Sequence, residues 1–233
     1  MEIRYTSIQR KSSHEALPNG KIRIYYDEIE STETASHRDE ESGEETEDTY
    51  PVYLYRVVDA DALVASSIIV ALIRADYSSD DELALQRQQD DKPIEYATYN
   101  AFVEWCKAYA GRVLSGDTLE TAKAIKIAEL NQWDASAAVR TFYVGQTPVW
   151  LSPNRRNNFR SYCESLGSGQ TVPFMGMTIP ADTALDMLAQ VEHYAGDTTI
   201  VTEGHAVAIN ALATIEQVAA YDFTTGYPAK LSF

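Results

Sequence analysis

Basic residues are scarce in this sequence: nineteen Lys and Arg stand against thirty-five Asp and Glu, a formal net charge of −16 over 233 residues. A protein that neutralises a run of phosphates needs a clustered basic surface, so this balance argues against a nucleic-acid partner and against an anionic membrane surface. Cysteine is equally sparse. Cys106 and Cys163 lie far apart in helix-like settings and read as two buried thiols rather than a disulfide, which suits a reducing cytoplasm. Long apolar runs are missing too. The opening MEIRYTSIQRK lacks the apolar core of an export signal, and the stretch from Ala60 to Ile73 is interrupted by Asp61, Ser66 and Ser67, so neither a leader nor a membrane span is expected. Glycine-rich phosphate loops and the Gly-x-Ser elbow of hydrolases do not occur.

What is present is enough to fold. Apolar residues make up 45 % of the chain and charged residues 23 %, close to the globular average. The pattern predicts a mainly helical α+β protein of two modules, residues 1–115 and 116–233. In the first, KIRIYYDEI (Lys21 to Ile29) and VYLYRVV (Val52 to Val58) alternate as half-buried strands do and predict a hairpin. Between them the acid-rich residues 30–48 have no apolar face and predict a disordered, solvated loop.

Central helices follow. Apolar residues recur at helical spacing from Asp61 to Ala75, and Ser78 and Ser79 before Asp80, Asp81 and Glu82 signal the start of a helix that runs to about Gln89. A longer helix from Glu95 to Leu114 carries Tyr99, Phe102, Val103, Cys106, Tyr109, Ala110 and Val113 as a packing stripe. Asp117 with Glu120 reads as a capping box for a helix ending near Trp133, which is expected to connect the modules.

The second module alternates short hairpins with helices. Val139 to Val144 and Thr147 to Leu151 form one predicted hairpin, and Thr171 to Phe174 with Met177 to Ile179 another. Ser152-Pro153 opens a helix to Leu166, Pro180 opens one ending near Tyr194 with Ala184, Leu185, Leu188, Val191 and Tyr194 as its apolar stripe, and a last helix spans about Thr202 to Ala219 with Val207, Ile209, Leu212, Ile215 and Val218 as its own. The tail YDFTTGYPAKLSF is expected to pack back as extended chain.

Reactive constellations are few. His193, beside Glu192, and His205 fall at the facing ends of two predicted helices, so a helical hairpin could bring them together around a metal for hydrolytic chemistry. Neither helix shows ligands at a matching i, i+3 or i, i+4 spacing, and the leading expectation is no catalytic, cofactor or metal site. Arg155, Arg156 and Arg160 form the one basic cluster, just after Trp150. Two roles stand open for it: pairing with the chain's own acids, or anchoring a partner.

The segments KIAELNQWDASAAVRTFYVGQTPVWL, SPNRRNNF, a helix ending VEHYA, and HAVAINALATIEQVAAYDFTTGYPAKLSF come in an order that resembles an uncharacterised C-terminal domain family of Bacteroidales phage and prophage tail modules. The likeness spans about residues 120–233, and YDFTTGYPAKL is its most specific part. It implies a hairpin presenting Trp150, a helical bundle with an aromatic tail that includes Tyr227, and no catalytic residues. It also implies a protein of the phage tail, made in the bacterial cytoplasm, with other tail proteins as partners and self-association expected. A tail-assembly chaperone absent from the mature virion is the alternative.

Overall fold

The strongest alternation in the chain, from Ile22 to Ala60, becomes an antiparallel sheet in the computed structural model, which describes residues 4–38, 45–167, 169–174 and 176–233. The fold is α+β, with more helix than strand. It divides into two compact units, one made of Met1–Asp76 with Tyr109–Asp117, the other of Tyr77–Ala108 with Thr118–Phe233.

The first unit is a four-stranded sheet in the order β1-β4-β3-β2, built from β1 (Tyr5–Ser7), β2 (His14–Ala16), β3 (Ile22–Arg38) and β4 (Glu45–Ala60). Helix α1 (Ala65–Asp76) packs on β4, burying Ile68, Leu72 and Ile73. Tyr25 and Tyr26 are adjacent and both buried, because strand neighbours point to opposite faces and each face here has a cover. Tyr25 sits edge-on to Tyr5 and Tyr55, with the Lys11 ammonium 5.5 Å above its ring. Tyr26 packs against Tyr109, with the Arg56 guanidinium 5.1 Å over its ring. The register shifts between Tyr26 and Ile29, where Asp27 adopts φ 53°, one of the few positions at which a short polar side chain tolerates the left-handed region.

Residues 30–48 depart from the expected disordered loop. Glu30 to Arg38 pair with Glu45 to Tyr53 in continuous register, while 39–44 lie outside the described residues. An antiparallel ladder satisfies backbone groups without needing an apolar face, so carboxylates can stay in water on both sides of it. The β-branched Thr32, Thr34 and Thr49 suit such a ribbon, and the Thr34 and Thr49 hydroxyls meet across it at 3.3 Å.

The second unit begins with α2 (Ser79–Arg87), capped by Ser78 in a reciprocal box with Asp81. Helix α3 (Pro93–Ser115) contributes its residues through Ala108 to this unit and those from Tyr109 to the first, so the packing stripe is divided: Tyr99 and Cys106 belong here, Tyr109, Ala110 and Val113 there. The expected break at 115/116 therefore does not mark the unit boundary. Helix α4 (Leu119–Ala135) is no connector, since it packs on α6 (Ala181–Ala211) and α7 (Ile215–Ala220). Its cap is Thr118 with Thr121 rather than Asp117 with Glu120, because the Asp117 carboxylate is taken by Arg112.

The core of this unit gathers Phe142 and Val144 of β5 (Phe142–Val144), Leu151, Phe174 of β7 (Thr171–Phe174), and Met187, Leu188 and Val191 of α6. Strand β6 (Thr147–Val149) pairs with β5 through a turn at Gly145, whose φ of 60° explains the glycine, and β8 (Met177–Pro180) pairs with β7. Helix α5 (Pro153–Glu164), capped by Ser152, closes Cys163 against Val172 and Ala184. Cys106 and Cys163 are both buried thiols and no disulfide joins them.

Two helices were expected where α6 runs unbroken for 31 residues. Gly196 and Gly204 each cost roughly 1 kcal/mol relative to alanine. Burial of Val191, Tyr194, Thr198 and Ile209 along one face offsets this, and Thr198 and Thr199 turn their hydroxyls back onto the Ala195 carbonyl one turn earlier. The break comes at Leu212, where Thr214 caps α7 and Gln217 accepts from the Ala213 amide. Lys123 and Lys126 of α4 donate to the last-turn carbonyls of Asn210 and Ala219, satisfying acceptors that both helix ends leave open. The tail packs back as extended chain: the Tyr143 amide donates to the Leu231 carbonyl, the Tyr143 carbonyl accepts from the Phe233 amide, and the Phe233 ring meets Phe142 edge-on at 5.9 Å.

Candidate partner-binding surface

Proline at its first position and a hydroxyl cap start α5 directly after β6, so Trp150 and the three arginines come from one short stretch of chain. Trp150 is half-buried, edge-on to Tyr194 at 6.3 Å and tilted against Phe142. The Arg156 guanidinium lies 5.7 Å from the centre of its ring. This is a cation–π contact in a partly dry setting, and burial lowers the Arg156 pKa while Glu192 opposes that effect. The Arg156 Nε is buried with no hydrogen-bond partner among the described residues.

Arg160 is ion-paired with Glu192 of α6, and that bond raises its pKa. Arg155 reaches Asp91 only at 3.7 Å, and both side chains are well exposed. It also edges an open cleft of about 440 Å³ lined by Leu151, Asn158, Phe159, Tyr162, Pro173 and Phe174. The cluster is thus split by its surroundings, with Arg156 and Arg160 engaged within the chain and Arg155 facing solvent.

Tyr227 makes its contacts with a different set of residues. Its hydroxyl meets Thr202 at 3.0 Å, and Thr202 donates to Asp134, which is paired with Arg140 at 2.7 Å. Burial raises the Tyr227 pKa. His205 lies beside it, between the Tyr221 hydroxyl at 2.8 Å and the Thr225 carbonyl at 2.9 Å. A carbonyl only accepts, so Nε2 carries a proton and donates it to Thr225.

This disposes of the histidine pair as a metal site. His193 and His205 stand on the same continuous helix, twelve residues and therefore roughly 18 Å apart along its axis, and Glu192 is held by Arg160. Among the described residues no group of three His, Cys, Asp or Glu side chains could hold a metal ion, and no helix is long and apolar enough to cross a membrane.

Val207, expected on the apolar stripe of the last helix, instead faces water together with Ile200, which lay outside both expected helices. Ile200 and Val207 of α6 are 68 % and 71 % exposed, seven residues apart on one face, with Gly196, Gly204 and Ala211 exposed beside them. The signal was the spacing itself, hidden by the assumption that a helix ended near Tyr194. No family model, curated protein or solved structure matches the chain.

Proposed function

We propose that this chain is a non-enzymatic structural protein of a phage tail, a fibre or baseplate component or adaptor, that acts through protein–protein contacts and self-associates. The observation that carries the reading is the pair Ile200 and Val207, two large aliphatic side chains held in water one heptad apart on a 31-residue helix. An apolar seam of this kind, interrupted by glycines that allow close approach, suits helix packing between chains. Arg155, with Trp150 close by in the chain, supplies a second patch of the residue types that anchor interfaces. In this reading the acidic N-terminal sheet and the C-terminal helical unit are separate contact modules, and repeated weak contacts gain strength through avidity. The tail setting itself comes from the likeness of residues 120–233 to the tail-module family.

Mass spectrometry of purified virions, together with sedimentation of the purified chain, tests this. The protein is expected in finished particles and as a closed oligomer in solution. Presence in infected lysate but absence from particles would select the assembly chaperone instead. A strict monomer that binds no tail component would overturn both.

A further inference from the structure

Beyond its first rungs, β3 has a neighbour on one side only. Strand β2 pairs with Ile22 to Ile24, the bulge at Asp27 follows, and from Ile29 to Ser36 β3 is hydrogen-bonded to β4 while its other edge pairs with nothing among the described residues. The segment IESTETAS, about 26 Å of extended chain, contains neither lysine nor proline, and its charges, Glu30 and Glu33, are both acidic. Strand β4 carries Pro51 opposite Thr32, which takes one amide out of its ladder, so β3 is the more complete template. Ile29 is exposed at the start of this edge, and beyond the buried Val52, which lies opposite Ser31, Glu33, Thr34 and Ser36 are exposed, as are Glu47 to Thr49 on β4. A two-stranded ribbon is marginal in water until a further strand joins it.

Charge decides what that strand is. Glu33 is exposed on β3, Glu30 is exposed but already reached by Arg10 at 3.4 Å, and Glu47 and Asp48 are exposed on β4. A second copy laid along this edge brings carboxylates against carboxylates, which destabilises cross-strand pairing, whereas a basic strand places ammonium groups opposite them. We infer that the Ile29–Ser36 edge of β3 accepts an extended lysine- or arginine-rich segment of another protein as an added antiparallel or parallel strand. Backbone bonds supply the binding and the acids supply the choice of partner. The inference rests on the contact-making reading above and names the chemistry of one contact.

The test is fluorescence anisotropy of the full chain with an end-capped peptide alternating lysine and threonine. Its controls are the same peptide N-methylated at alternate amides, which keeps the charge and loses the ladder, and a glutamate–threonine peptide. Saturable binding of the first peptide is expected, weakened at least roughly tenfold by N-methylation and by Glu33→Lys. Glu33→Gln is expected to fall between Glu33→Lys and the parent, and unchanged far-ultraviolet circular dichroism checks that both variants fold. Equal binding of the N-methylated peptide shows attraction by charge alone and overturns the proposal, as does equal binding of the acidic peptide or binding of none. Self-association abolished by Glu33→Lys means that a second copy occupies the edge, and overturns it too. Any of these outcomes leaves the virion measurement untouched, so the two readings fail separately.

Discussion

The hydroxyl of Tyr109, in the last turns of α3, donates to the backbone carbonyl of Tyr25 on β3 at 2.6 Å, across 84 residues of sequence. Both residues are buried, and the bond ties helix to sheet within the first unit. Tyr109→Phe keeps the ring against Tyr26 but leaves the Tyr25 carbonyl without this donor, so it is expected to destabilise the unit by about 1–2 kcal/mol in urea unfolding.

Alkaline pH probes the same group. Burial pushes the Tyr109 phenol up to about 12, above its ordinary value near 10. A folded-state pKa raised in this way gives stability that is fully present below about pH 10 and is lost as pH rises through about 12. Unfolding free energy measured across that window should fall less steeply in Tyr109→Phe than in the parent. Equal slopes would show that other tyrosines govern the loss.

The arginine cluster separates by charge reversal. Arg160→Glu places two acids together on α5 and α6 and is expected to cost about 1 kcal/mol or somewhat more, since the Glu192 pair is only a third exposed. Arg155→Glu, loosely held to an exposed Asp91, should leave stability within about 0.5 kcal/mol. Any loss of association by Arg155→Glu at unchanged melting temperature assigns that residue to a partner.

Ile200→Asp and Val207→Asp address the α6 seam. Both side chains are exposed in the single chain, so each variant should melt within about 0.5 kcal/mol of the parent. Sedimentation equilibrium should shift toward monomer for either change. An unaltered oligomer removes α6 from the interface.

The tail is open to a simple truncation of side chain. Phe233→Ala removes the ring that meets Phe142 edge-on while sparing the backbone bonds to Tyr143 and Gly145, and is expected to cost about 2 kcal/mol by thermal unfolding. No change would mean that the tail is held by its backbone and by Lys230, which donates to the Ala137 and Val139 carbonyls.

Local chemistry determined much of this protein on its own. Ser78 with Asp81, Ser152 with Pro153, and Gly145 in its turn act within a few residues, so the sequence alone placed α2, α5 and the β5–β6 hairpin. The apolar spacing of Ala184, Leu188, Val191 and Tyr194 likewise marked the buried face of α6. Thr214 followed by Gln217 was also legible as a helix start, though the expected helix ran straight through it.

The tertiary structure decided what depends on distant neighbours. It carried α6 across Gly196 and Gly204, because burial against the rest of the unit outweighs a local propensity of about 1 kcal/mol. It turned an acid-rich stretch into ladder, because pairing partners rather than an apolar face satisfy a backbone. It also divided the arginines, giving Arg160 to Glu192 and Arg156 to Trp150 while leaving Arg155 in water. Sequence spacing states which residues share a face, but only packing states which of those faces is already covered.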